Sequence, residues 1–402
     1  VTENARSRAL AALLALDQGR IDLLDQVLEP PLPDPREAAL ARELALGAVR
    51  FRRLYDWLCQ AFLRPGVQPP PLLAALRLGC HQLFACDRIP PHAAVGATID
   101  ALRDAGHGRL GGVANAVLRR CAALRQDERA GEGPLGRLAA AHQPEQPAIR
   151  HSLPDLLVEH LAPLLVPGER DLAALDQQVP LCTRSRPGVP PLLGRSIVRR
   201  EGAWTWWRDP AEALAGPVAD GRCVVQDASQ GEVVVAARPR AGDLVLDLCA
   251  APGGKSRAFA DAGCRVVSAE LQAAKCRELA ADRFTVVRAD GRRPPFAPAS
   301  FDVVLVDAPC SNSGVLARRP EARWRYSAET VASLAALQRA LLAAAAPLVR
   351  PGGRLVYATC SLTPAENQAV AQGLPGWRLL AERLSWPGAW SAGGYVAVLV
   401  AA

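Results

Sequence analysis

Beyond His160 the chain has no histidine, it has only two lysines (Lys255 and Lys275) among 47 basic residues, and it has no methionine, even at position 1. The missing histidine excludes Ser-His-Asp, Cys-His and histidine-ligated metal chemistry from residues 161 to 402, so a nucleophile there must work without imidazole. The missing lysine leaves basic charge almost wholly to arginine. With abundant Ala, Pro and Gly this reads as a compositional bias of the whole sequence, and arginine content alone therefore carries no inference to RNA. No physical reason for the lack of methionine is apparent. Eleven cysteines include no CxxC pair, which points to reduced thiols rather than a disulfide framework or a zinc site, and no metal is expected. Apolar runs of membrane-spanning length are lacking too, since the best, "ALQRALLAAAAPLV", is interrupted by Gln338 and Arg339. The first residues show no basic start followed by an apolar core, so no secretory signal is expected and the expected location is the cytoplasm. Without a coiled-coil repeat, a monomer is the default.

What is present is a soluble globular composition, with half of the residues hydrophobic and 22% charged. A net charge of +7 favours a polyanionic partner, though weakly. Residues 1–130 read as an all-α bundle. "TENARSRALAALLALDQG" offers Thr2 as an N-cap ahead of leucines at helical spacing, and Pro35 opens one long or two abutting amphipathic helices that close before Pro65. Three more helices follow, punctuated by "RIPP" and "GHG". Residues 131–222 read as linker helices and a small α+β subdomain. There Arg184, Arg186, Arg195, Arg199 and Arg200 with Trp204, Trp206 and Trp207 offer a basic, aromatic face for single-stranded nucleic acid. The same alternation of tryptophans serves equally to pack a small sheet, which is the favoured reading.

From residue 223 to 402 the pattern changes to β-branched runs alternating with helices: "LVLDLCAAPGG", "CRVVSAEL", "RFTVVRAD", "FDVVLVDAPC" and "GRLVYATC". That is an α/β pattern with a parallel, doubly wound sheet, whose ligands bind beyond the carboxyl ends of the strands. Each of these strands ends in Asp, Glu or Cys. Gly253 and Gly254 form a turn that permits close ligand approach, although PGG is neither a dinucleotide fingerprint nor a P-loop. Glu270 is placed to grip ribose hydroxyls, and Asp290 to hold an adenine amino group. With Asp307 at the end of the fourth strand, three carboxylates suit a nucleoside cofactor with a positive centre better than a phosphorylated one. Cys249 and Cys264 read as apolar filler. Cys310 and Cys360 differ, because both should reach the cleft edge beside Asp307, and a thiol is nucleophilic at neutral pH without histidine.

Three stretches, "VQDASQGEVVVAARPRAGDLVLDLCAAPGGKS", "FDVVLVDAPCSNSG" and "LVYATCSLTPAENQAV", closely resemble the RNA cytosine-5 methyltransferases of the Sun/Fmu (RsmB) group. "ELALGAVRFRRLYDWL", "RIPPHAAVGATIDALR" and "GGVANAVLRR" resemble the NusB-like helical domain that this group carries. The resemblance implies a Rossmann-like domain that uses S-adenosyl-L-methionine to methylate cytosine C5 in RNA, most often one cytosine of small-subunit ribosomal RNA. It implies Cys360 as the nucleophile at C6, Cys310 as the residue that helps remove the C5 proton, and Asp307 at the pyrimidine edge, close to the cofactor. Cys249, Ala250, Ala251, Pro252, Gly253, Gly254, Lys255, Glu270 and Asp290 would line the cofactor pocket. The target base must leave its stack to enter such a site.

The chain departs from the family pattern at Asn312, where a small residue is usual, at Val303, and at Gly393, Gly394 and Tyr395. Asn312 adjoins the target pocket. The segment Arg318 to Arg325 resembles a family loop that offers cations and a tryptophan to an RNA backbone. Three other readings compete: a transfer-RNA cytosine methyltransferase, a non-catalytic RNA-binding assembly factor, and a small-molecule methyltransferase.

Overall fold

A computed structural model describes residues 3–131, 133–281 and 284–402, which form two compact units, residues 1–159 and 160–402. In the first unit, α1 (Ala5–Asp17) starts at Asn4, whose side chain accepts from the Arg6 and Ser7 amides while Ser7 caps Asn4 in return. Thr2, the cap expected from sequence, lies outside the described residues. After the short α2 (Asp25–Leu28), Asp34 caps α3 (Pro35–Arg50), and a break at Phe51 separates it from α4 (Arg52–Gln60), so the long amphipathic stretch is two abutting helices. The three helices expected next are α5 (Pro70–Phe84), α6 (Pro91–Asp104) and α7 (Gly111–Ala122). Gly47 lets α3 approach α5 so closely that a Cβ would sit 2.0 Å from the His81 ring. Inside this bundle the thiols of Cys59, Cys80 and Cys121 come within 4.8 Å of one another, fully buried, a meeting that sequence spacing did not announce.

The second unit opens with a four-stranded antiparallel sheet of β1 (Leu181–Ser185), β2 (Ile197–Glu201), β3 (Trp204–Trp207) and β4 (Cys223–Val225), in the order β2-β3-β1-β4. Trp206 and Trp207 are buried in it, and the Trp207 indole donates to Thr183 Oγ1 at 2.9 Å. The arginines are largely engaged within the chain: Arg184 with Asp261 at 2.8 Å, Arg200 with the Leu192 carbonyl at 3.0 Å, and Arg199 over the Trp206 and Trp390 rings. Packing, rather than an open stacking platform, is what Trp206 and Trp207 serve.

Seven strands make the main sheet: β5 (Leu244–Asp247), β6 (Arg265–Glu270), β7 (Thr285–Arg288), β8 (Phe301–Asp307), β9 (Val349–Thr359), β10 (Trp377–Ser385) and β11 (Gly394–Ala401), in the order β10-β11-β9-β8-β5-β6-β7. The first five are parallel, as the sequence pattern implied. The sheet as a whole is mixed, because β11 pairs antiparallel to both β9 and β10. Arg283, at the start of the third expected strand, lies outside the described residues.

Alternation along the central strands fills both faces. Leu246, Val304, Val306, Leu355 and Tyr357 face one layer, which includes Leu341 and Leu342 of α11 (Ala328–Ala345) once α8 (Ala228–Ala237), α9 (Gly254–Asp261) and α10 (Ala273–Ala281) are counted. Val245, Val303, Leu305 and Val356 face the other layer, against Val233 and Val234 of α8 and Phe259 of α9. Burying each such side chain contributes about 1.5–3 kcal/mol, and period-2 placement puts those contributions on both sides of the sheet. Residues 328–348 are long and apolar enough to cross a membrane by composition, and one face of this helix packs on the sheet, with Gln338 buried and bonded to the Pro309 carbonyl at 2.8 Å. Chain order reverses between β5 and β8, the switch point where a doubly wound sheet opens a cleft.

Candidate active site

Strand register decides which residues share that cleft. Asp307 is level with Ala358 across β8 and β9, so Cys310 lies three residues past one strand level and Cys360 two residues past the other. Their sulfurs are 3.1 Å apart, and both side chains are partly buried. Contact with the Cys360 thiol, followed by burial, pushes the Cys310 thiol well above its ordinary pKa, so Cys310 keeps its proton at neutral pH. Asn312 completes the cluster. Its Oδ1 accepts from Cys360 Sγ at 3.0 Å, its amide donates to the Cys310 carbonyl at 3.2 Å, and its backbone takes φ 61°, a left-handed conformation that Asn tolerates. The serine after each cysteine turns inward and is buried.

On the other side of the switch point, β5 runs into residues 248–253 and then α9. The Leu248 amide donates to Leu305 and the Ala250 amide to Ala269, which seats the turn between β8 and β6. Gly253 has φ +96°, which favours glycine, and a Cβ on Gly254 would meet only Gln226 Nε2, at 3.6 Å, so the space above the turn at Gly254 is open. Lys255 is buried at the start of α9, where its ammonium donates to Asp307 at 2.6 Å and to Gln230. Burial pushes the Cys249 thiol far up, which leaves it a neutral filler at the edge of the turn. Asp247 is buried with Oδ2 accepting from Ser256 at 2.7 Å, while Oδ1 has no partner among the described residues. Burial, opposed by the Ser256 hydrogen bond, raises its pKa to about 7.

Glu270 ends β6, nearly buried, and accepts from the Gln272 amide at 3.0 Å. The Ala289 amide bonds to its carbonyl at 3.0 Å, so Asp290 follows directly beside it. Arg292 grips Asp290 through both carboxylate oxygens and holds its pKa down at about 2. Cys249 to Lys255, Glu270, Asp290, Asp307, Cys310 and Cys360 thus lie along one edge of one sheet. The loop from Arg318 to Arg325 is more enclosed than its composition suggested: Arg323 is fully buried against Asp176 at 2.9 Å, and Arg318 pairs with Asp227 at 2.8 Å. Arg319 and Arg325 remain exposed. Asp247, Gln230, the two inward serines and Glu366 were not singled out from sequence. The one available signal was Glu366, a carboxylate six residues after Cys360 and close in sequence to Ser361, Thr363 and Asn367.

Residues 234–375 match the family described as 16S rRNA methyltransferase RsmB/F, and residues 3–123 match the NusB family. A putative methyltransferase of Mycobacterium tuberculosis is 38% identical over 371 residues, which cover 84% of this chain and 79% of that protein. A probable ribosomal RNA small subunit methyltransferase B of Synechocystis is 31% identical, covering 94% of this chain and 90% of the relative. The ribosomal RNA small subunit methyltransferase B of Vibrio cholerae is 32% identical, with 88% and 86% covered. Among solved structures, that of PH0851 superposes with a TM-score of 0.76 over 99% of both chains at 20% identity, a likeness of fold.

Proposed function

The chain belongs to the RsmB/F family of 16S rRNA methyltransferases, and from that premise we propose that it methylates C5 of a cytosine in small-subunit ribosomal RNA, with S-adenosylmethionine as methyl donor and Cys360 as a covalent nucleophile. The observation that carries this reading is the pair of thiols 3.1 Å apart beyond the ends of β8 and β9, on the loops that follow Asp307 and Thr359. Cytosine C5 is a weak carbon nucleophile. Addition of the Cys360 thiolate to C6 makes C5 enamine-like, and one difficult step becomes easier ones. Two thiolates at this separation repel each other, so only one sulfur ionises readily. We assign the attack to Cys360, the thiol just beyond β9 in the stretch "LVYATCSLTP", which falls within the residues that match the RsmB/F family.

After C5 has taken the methyl group, the C5 proton must leave so that the C6–S bond can break and the ring regain its double bond. Once Cys360 is bonded to C6 its thiol no longer raises the pKa of Cys310, so Cys310 loses its proton to solvent and its thiolate takes the C5 proton. The C–H electron pair becomes the C5=C6 bond, and the C6–S bond breaks with Cys360 leaving as a thiolate. Asp307, held by Lys255, meets the pyrimidine edge around N3, where charge develops during attack.

The residues present suit the cofactor. The glycine turn at 253–254 admits a close backbone approach, Asp247 Oδ1 lacks a partner among the described residues, and the surrounding acids favour a ligand with a positive centre. Glu270 would take the ribose hydroxyls, Asp290 the adenine amino group, and residues 249–255 the methionine part. When bound, the cofactor supplies an electrophilic methyl group. The 1–130 region, with its NusB-like helices, is assigned to RNA contact ahead of the 223–402 methyltransferase domain, while the small sheet within 131–222 keeps the packing role of its tryptophans. Incubation with radiolabelled S-adenosylmethionine and unmodified 16S rRNA, followed by nucleoside analysis, tests the reading: the label should appear as 5-methylcytidine. Label in another nucleoside, or in transfer RNA instead, would refute the assignment.

A further inference from the structure

Each of the two reactive cysteines is followed by a serine, and neither serine faces the cleft. Both point at Glu366, a side chain with no solvent exposure, on the segment that follows β9. Ser311 Oγ donates to Glu366 Oε2 at 2.5 Å and Ser361 Oγ to the same oxygen at 2.7 Å. Thr363 Oγ1 adds a third donor to Oε2 at 3.1 Å, while the Ser311 amide at 2.8 Å and Gln338 Nε2 at 3.1 Å hold Oε1. Ser313 binds the second loop as well, accepting from the Leu362 amide at 2.9 Å and meeting Ser361 Oγ at 3.1 Å. The Gly314 amide donates to the Cys360 carbonyl at 2.8 Å.

A buried carboxylate is costly unless its lone pairs are satisfied. No cation contacts Glu366 among the described residues, and five donors, two of them from the loop of Cys310, satisfy it instead. Nothing in the fold of the sheet requires a charge here. β8 and β9 are already joined by their backbone ladder, which ends at Asp307 and Ala358. Beyond that level the two loops are held by this network, by the bond from Cys360 Sγ to Asn312 Oδ1 and by a few backbone bonds, and that is where the sulfurs sit. Hydrogen bonds to an ionised group are short and directional, so a single carboxylate shared by both loops fixes one against the other.

We infer that Glu366 is the positioning residue of the thiol pair: through Ser311 and Ser361 it sets the separation of Cys310 and Cys360. It touches neither substrate nor cofactor and acts only through the serines. The inference rests on the reading that Cys360 and Cys310 are the reactive pair, but its decisive readout needs no RNA. In a glutathione redox buffer, Cys310 and Cys360 give up two protons and two electrons to glutathione disulfide, which leaves as two glutathione thiols. The equilibrium, followed by mass spectrometry of the peptides joined through residues 310 and 360, reports the effective concentration of one thiol at the other.

The variants are Ser311→Ala, Ser361→Ala and the double variant, with Glu366→Gln as a shape-preserving fourth; the single serine variants suffice if the others do not fold. The expected result is a fall of about tenfold or more in effective concentration for the double variant, with a similar fall in kcat and little change in the KM for RNA or in cofactor affinity. A lowered melting temperature with unchanged effective concentration would overturn the inference and reduce the network to a folding staple. Should the wild-type protein transfer no methyl group, the functional reading fails, while the thiol equilibrium still decides whether Glu366 positions the cysteines.

Discussion

At the scale of single residues, the chemistry depends on which sulfur holds a proton and what faces it. Asn312 stands against the thiol pair, and its side-chain oxygen is 3.0 Å from Cys360 Sγ. Asn312→Asp keeps the shape and the tolerance for positive φ, but it sets a negative charge against the nucleophile. A like charge at that range disfavours the thiolate, so methyl transfer at neutral pH should fall by about tenfold or more, with melting temperature and cofactor binding little changed. Initial-rate measurements on ribosomal RNA check this, and an undiminished rate would show that Cys360 does not react as a thiolate. The residues bearing reactive groups were legible in sequence because strand ends place them: Cys310, Cys360, Asp307 and Glu270 need only a strand and its terminus to be located. Glu366 and the inward serines were not legible. Their roles come from a pairing of two loops fifty residues apart in sequence, and no periodicity encodes it.

Among the elements, β5 holds the least comfortable group, since Asp247 is buried at its end with one oxygen unpartnered and a pKa of about 7. In the unfolded chain the same carboxyl ionises near 3.8. Between those values the folded protein holds a proton that the unfolded chain has released, so raising the pH from about 4 to about 7 removes stability. The cofactor-free Asp247→Asn protein, which has no proton to lose there, should therefore gain on wild type across this window, by up to about 4 kcal/mol at one pKa unit per 1.36 kcal/mol. Thermal melts at pH 5 and pH 7.5 measure it. A gap that does not widen with pH would mean that Asp247 is ionised throughout. The parallel strands were readable because both faces are buried and their sequences are continuous β-branched runs. β10 and β11 were not read as strands. β10 is largely exposed along its length, which leaves no apolar run, and β11 had drawn notice only for its departure from a family motif. Trp206 and Trp207 show the same limit from the other side, because an aromatic-basic stretch has one composition whether it stacks on RNA or packs a sheet.

Across the whole molecule, helices give way to a mixed α/β sheet where the sequence changes period, and that transition was visible without coordinates. The antiparallel strand β11 was not, because strand direction depends on a return path through residues 385 to 394 that carries no hydrophobic signal. The molecule's central claim is that Cys360 bonds to an RNA base and that Cys310 is needed to release it. The most direct test incubates wild type, Cys310→Ala and Cys360→Ala with S-adenosylmethionine and unmodified 16S rRNA, then separates them on a denaturing gel. The expected result is a stable protein–RNA band with Cys310→Ala that is absent with Cys360→Ala and with wild type, which turns over. A band that persists in Cys360→Ala, or wild-type methyl transfer without any trapped species in Cys310→Ala, would contradict it.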